Sequence, residues 1–278
     1  MKRVLVLALT LLCLSPSMRG TGTEGRFANK NIRTQPRDTL RIIKGVLHGR
    51  WYSADYIQDV KRTKSPLISA RIASSITEIF LDTSLVKGDS LEVHAQGLHE
   101  GGSFMVYFRT GYGFQLPVTH EDIPNDSLRM RISFALQGTD TVLTLTTITS
   151  TGKLRGMRRF LRAPIGIEHP LDYLVNQIVM AGEYLATDRA GKQFDISLDS
   201  SGAVRGFHRY STYQVLLDFG GGPAARMDVI CFNLQQKNQR CFSFSTRSDT
   251  TILYQDLGED SKGRQRIGVV QYTLVRRK

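Results

Sequence analysis

The tetrapeptide His99-Glu100-Gly101-Gly102 sets an imidazole beside a carboxylate and two flexible residues. Such a group can hold a cation or hand on a proton at the mouth of a fold. The competing reading is a hairpin turn with both side chains in water, because paired glycines are turn chemistry. In LEVHA (91–95), Glu92 and His94 share one face, opposite Leu91, Val93 and Ala95. That face is either a polar lumen or an outer surface. No HExxH or comparable ligand set occurs, so neither a metal nor any other cofactor is expected.

Nucleophile chemistry has no more support. There is no Gly-x-Ser-x-Gly elbow and no phosphate-binding glycine loop. RTGYGFQ (109–115) is glycine-rich but lies between strand patterns, so it reads as a loop. Glu92 and Asp195 are acids without a partner that the sequence can assign. An enzyme is therefore not the expectation.

Arginines offer a different chemistry. Arg129 and Arg131 alternate with Leu128, Met130 and Ile132, and Arg240 and Arg276 fall in strand patterns near the C-terminus. With the apolar residues inward, these arginines form an outer basic face. With a polar lumen, they clamp a carboxylate or phosphate. The formal net charge of +12 suits peripheral association with anionic lipid surfaces or envelope polysaccharides. Basic stripes interleaved with aromatics are absent, so nucleic acid is not an expected partner.

Residues 1–20, MKRVLVLALTLLCLSPSMRG, carry a basic start, an apolar run and small residues after it. That is the pattern of a secretory signal peptide, too short for a membrane span. Cys13 follows Leu12, whereas lipid attachment wants a small residue there, so a soluble exported protein, periplasmic or extracellular, is expected over a lipoprotein. Residues 21–35 read as a polar, flexible leader. Cys231 and Cys241 flank LQQKNQR and lie opposite each other in a hairpin centred on Gln236. They form either a structural disulfide, which export permits, or two small buried thiols.

The elements that position these residues come in two copies. PRDTLRIIKGVLHGRW (36–51) and PLDYLVNQIVMAGEY (170–184) both begin Pro-x-Asp-x-Leu and end Gly-x-aromatic. Leu40, Ile43 and Leu47 in one, and Leu174, Ile178 and Ala181 in the other, have helical spacing. Each copy then turns to short period-two runs separated by turn formers, about eight strands per copy. The first copy alone carries SADYIQDVKRTKSP (53–66), an inserted helix with Ser53 as N-cap, a Tyr56-Ile57-Val60 face and a stop at Pro66. APIGIEHP (163–170) links the copies.

A short helix, Gly-x-Trp opening the first of about eight up-and-down strands, and a basic residue on the last strand together resemble the lipocalin and calycin-like barrels. WYSADYIQDVKRTKSP with HEGG also resembles exported proteins of Bacteroidetes-type bacteria, a resemblance that transfers no function. The barrel resemblance implies an all-β fold of two tandem antiparallel up-and-down β-barrels, each preceded by a short helix, over 36–164 and 165–278. It implies closure of each barrel base by an aromatic plug under an arginine: Gly49, Trp51 and Arg162 in the first, Gly182, Tyr184 and Arg276 in the second. The expected function is non-catalytic carriage of a small lipophilic or amphipathic ligand, or an anionic one, in the first barrel. Trp51, Tyr56, Phe80, Tyr107 and Phe134 would be its walls, and the 53–66 helix its lid. The alternative is a pair of filled barrels that bind a protein or envelope polysaccharide by their outer surface.

Overall fold

The computed structural model describes residues 36–73, 76–108, 116–119, 128–137, 140–220, 227–259 and 265–277. The expected signal peptide, the leader, Cys13 and the 109–115 loop lie outside the described residues, as does the side chain of Arg129.

Helix α1 (Pro36–Leu47) buries Ile43 and Leu47. The chain then turns at Gly49, whose φ of 131° is a conformation L side chains rarely adopt. Strand β1 (Gly49–Ser53) follows, and Ser53 caps α2 (Ala54–Thr63), its Oγ accepting from the Tyr56 N–H at 3.4 Å. The sequence reading ends this helix at Pro66. In the structure α2 already stops at Thr63, with Lys64 left-handed at φ 55°. Pro66 instead opens α3 (Pro66–Ala70), because the first helical turn has no use for the missing N–H.

Seven more strands complete the first module: β2 (Glu78–Leu81), β3 (Ser90–Gln96), β4 (Gly101–Tyr107), β5 (Leu116–Thr119), β6 (Leu128–Gln137), β7 (Asp140–Thr149) and β8 (Leu154–Arg162). Each pairs antiparallel with the next. β8 returns to β1 through Trp51–Arg162, Tyr52–Leu161 and Ser53–Phe160, so the ladders run round a ring. Its inward faces meet in one apolar cluster that includes Trp51, Ile79, Val93, Phe104, Ile132 and Phe160.

The second module opens with α4 (Pro170–Val179), then β9 (Gly182–Asp188), β10 (Gln193–Leu198), β11 (Val204–Arg205), β12 (Tyr213–Val215), β13 (Val229–Phe232), β14 (Arg240–Arg247), β15 (Thr250–Glu259) and β16 (Gln265–Arg276). Its order is β11-β10-β9-β16-β15-β14-β13-β12. The expected second barrel is, by its ladders, an open eight-stranded sheet. Its edges β11 and β12 meet in a single bridge, Ala203–Thr212. The cause is local. Gly206, at φ 77°, turns the chain out of β11 after two residues, which pair with β10 on one side and leave only that bridge on the other. The fold class is all-β with antiparallel sheets throughout.

The sequence reading gives α4 an apolar face of Leu174, Ile178 and Ala181. The deepest residues are instead Leu171, Val175 and Val179, with Leu174 and Ile178 half-buried and Ala181 beyond the helix. The reason is that α4 is wedged between the second sheet and α2. Tyr56, Ile57 and Val60 of α2 belong to the second module's core cluster, not the first's. The inserted helix therefore cements the modules together, and residues Pro36–Lys278 form one compact unit.

Candidate functional site

The two Gly-x-aromatic phrases build the same device. Trp51 is fully buried and donates its indole N–H to the Leu47 carbonyl, four residues back, at 3.0 Å. Its direct cross-strand neighbour Arg162 sets its guanidinium 4.9 Å from the ring and donates to the Val46 carbonyl. Tyr184 donates its hydroxyl to the Met180 carbonyl, also four back, at 2.6 Å. Its cross-strand neighbour Arg276 lies 5.1 Å from the ring and donates to Ala181 O at 2.6 Å and Tyr184 Oη at 2.9 Å. In the first copy the arginine satisfies a carbonyl at the C-terminus of α1, and in the second a carbonyl just past the end of α4, where positive charge is favoured. Gly182 is needed for space as well as backbone freedom: a Cβ there would lie 2.5 Å from Arg276 Nη1. These six residues are architecture.

The five expected ligand walls do not converge. Trp51 plugs the base of the first core, and Phe134, facing Leu143 across the ladder, packs on the same cluster. Tyr56 lies in the second module's core. On β2, Ile79 and Leu81 are buried, so Phe80 faces outward, beneath the Arg50 guanidinium at 4.6 Å. On β4, Phe104 and Val106 point in, which turns Tyr107 out. Both strands carry consecutive apolar residues, so their phase was not readable locally.

Glu92 and His94 face outward on β3, and Arg131 is exposed on β6. Sequence reasoning missed Arg158. It pairs with the buried Leu145 and shares its inward side, and partial burial lowers its pKa. Counting back two residues from Phe160 along β8 would have found it. Cys231 and Cys241 are directly opposed across β13 and β14, with Cα atoms 4.0 Å apart, and are disulfide-bonded.

Polar groups from both modules do converge at the junction. The His99-Glu100 turn between β3 and β4 reaches the second module, where His99 Nδ1 lies 2.6 Å from Asp218 Oδ1. Glu78 Oε1 accepts from the Leu171 N–H at 2.7 Å and so caps α4 from the neighbouring module. Asp228 Oδ1 accepts from the Leu67 N–H at 2.9 Å and caps α3 in the opposite direction. Asp172, on the first turn of α4, bonds Gln214. Burial raises the pKa of Glu78, Asp172 and Asp228. For Glu78 the Leu171 N–H, Arg50 and His169 pull the other way, while Asp172 adds to the rise. The exposed Asp218 is held low by the Gly220 N–H and His99.

Glu78, Gln96, His99, His169, Asp172, Gln214 and Asp218 line a cleft of about 250 Å³ together with apolar residues that include Leu98 and Leu217, while Asp228 lies outside it. Among the described residues, no group of three or more His, Cys, Asp or Glu side chains is arranged to hold a metal ion. The cleft offers donors, acceptors and an apolar face together, but its two most buried carboxylates are already engaged. What the fold and site define is an all-β protein of two antiparallel modules with a mixed-polarity cleft at their junction. No protein family, curated protein or solved structure matches this chain.

Proposed function

We propose that this chain is an exported, non-catalytic binding protein that recognises a hydroxyl-rich ligand, such as a sugar unit of an envelope polysaccharide, in the cleft between its modules. The observation that carries this reading is the contrast between interior and junction. Each module's interior holds an apolar cluster, whereas amides, carboxylates and two imidazoles from both modules gather at one concavity. Planar amides and carboxylates match paired hydroxyls, and the leucines match the C–H face of a sugar ring. The volume is below the range typical of drug-sized ligands. The Cys231–Cys241 bridge supports export, since disulfides persist in oxidising compartments.

Arg158 favours a second reading. Its inward placement in the first module suits the carboxylate or phosphate of an amphipathic ligand held in the lumen.

Calorimetric titration with oligosaccharides released from the host envelope, beside native mass spectrometry of chain purified from that host, separates the two. Saturable binding that Gln96→Ala and Gln214→Ala each weaken about tenfold, as expected for a lost polar contact, upholds the cleft. A lipophilic anion retained at one per chain, and lost in Arg158→Leu, restores the lumen and overturns the cleft. Titrations that show no saturation with any fraction also overturn it.

A further inference from the structure

A second concavity lies at the other end of α4, where the C-terminal ends of α2 and α4 approach the β14–β15 turn. It encloses about 500 Å³ and is lined by Lys61, Lys64 and Arg276 and by Thr246, Ser248 and Thr251, the two threonine hydroxyls sharing a hydrogen bond of 3.0 Å. We infer that this groove is a binding site for a small oxyanion, a phosphate or sulfate group, gripped by Lys61, Lys64 and Arg276.

Two of the three cations have an architectural reason to be there. Lys64 Nζ donates to the Ile178 carbonyl at 3.0 Å, and Arg276 donates to Ala181 O and Tyr184 Oη. Lys64 satisfies the last turn of α4, and Arg276 the segment just after it. Neither is exhausted: an ammonium has three donors and a guanidinium five. Lys61 has no such reason. It makes no hydrogen bond or ion pair among the described residues, yet it stands close enough to add to the field on Lys64. Lys64 has its pKa lowered by burial first, then by Arg276 and Lys61.

A fold gains nothing from crowding three like charges unless something neutralises them. The carboxylate in the lining is Asp249, and Thr250 Oγ1 donates to it at 3.1 Å. Three cations against one carboxylate leave the groove with a positive excess equal in size and opposite in sign to the charge of a divalent oxyanion. The Ser248 hydroxyl, and the one hydroxyl proton that the Thr246–Thr251 bond leaves free, add donors of the kind a tetrahedral anion uses.

The test is a calorimetric titration of the full chain with inorganic phosphate at constant ionic strength. Lys61→Gln is the main variant, because that side chain holds nothing else in place. Lys192→Gln, on the exposed β9–β10 turn, removes the same charge elsewhere. One-to-one saturation is expected, weakened about tenfold by Lys61→Gln and unchanged by Lys192→Gln. No saturation, or equal weakening in both variants, overturns the site, since the chain would then be responding to net charge alone. Co-sedimentation with phosphatidylglycerol vesicles identifies the source. Binding that Lys61→Gln abolishes and free phosphate displaces supports a lipid headgroup. Phosphate saturation without vesicle binding supports a soluble oxyanion.

Discussion

Replacing Tyr56 with alanine separates a lid from a cement. Tyr56 is fully buried in the second module's core, although it belongs to the helix that follows the first strand of the first module. An aromatic side chain removes about 150–250 Å² from water, worth ~4–6 kcal/mol at about 25 cal/mol per Å². Aromatic-to-alanine changes in cores cost about 3–5 kcal/mol, so ~4 kcal/mol is the expected loss. With a guanidinium m-value of about 5 kcal/mol per molar, the midpoint should fall by about 0.8 M. Trp51, the single tryptophan, sits in the other module's core and gives an independent optical probe. Because Ser53 both ends β1 and caps α2, damage at Tyr56 should pull on the strand that holds Trp51. Tryptophan fluorescence and far-UV circular dichroism should therefore shift together. Tyr56→Phe loses only the long 3.4 Å bond to the Pro66 carbonyl and should cost about 0.5–1 kcal/mol. A Tyr56→Ala midpoint within about 0.2 M of the parent would refute the reasoning, since a loosely seated lid costs little to truncate.

The Cys231–Cys241 bridge spans a sequence separation of 10, for which chain-entropy arguments give about 2.7 kcal/mol. Cys231→Ala with Cys241→Ala should lower the denaturation midpoint accordingly, and reductant should then have no further effect; a parent insensitive to reductant would count against the bridge. Burial raises the pKa of Glu78, Asp172 and Asp228, so the native chain takes up protons there at a pH where the unfolded chain has lost them. That part of the stability rises as the pH falls through the raised values and levels off below the ordinary carboxylate range near 4. Asp59, Asp82, Asp199 and Asp218 are held low, and what they add is lost as the pH falls below that range. Urea midpoints should thus peak on the acid side of neutrality, and Glu78→Gln with Asp228→Asn should flatten the neutral limb. A parent whose midpoint declines steadily from pH 7 to 5 would contradict the assignment.

Much of this architecture is written in local pattern. Alternation located the strands because each buries one face, and Gly-x-aromatic located the start of both modules because glycine is needed at the backbone turn. Pattern failed where the choice was made at long range. FMVY and IFL are apolar on both faces, so the inward set on β2 and β4 was decided by partners: Val93 faces Phe104 across the ladder, and that fixes Tyr107 outside. YQVLLDF reads as one strand to Phe219, yet β12 ends at Val215, where its partner β13, which begins at Val229, runs out. The junction cleft was invisible for a related reason. The capping contacts between the modules join residues 93 and 161 positions apart, Glu78 to Leu171 in the cleft and Asp228 to Leu67 outside it. Only His99, flagged for its chemistry, announced any part of it.

The difference between the two copies carries the functional argument. The second copy passes from its first strand to its second by a tight turn at Asp188–Lys192, while the first inserts α2 and α3 at the same point. That insertion adds no wall to the first module's interior. It supplies the Tyr56-Ile57-Val60 face that joins the second core, the Leu67 N–H that Asp228 caps, and the Lys64 ammonium that closes α4. Both concavities follow from it. The junction cleft exists because α2 and the reciprocal caps hold the modules together, and the cationic groove exists because the end of α2 reaches the end of α4. The two copies share a start and a ladder pattern but differ at their seam, and recognition is expected where that asymmetry brings unlike side chains together.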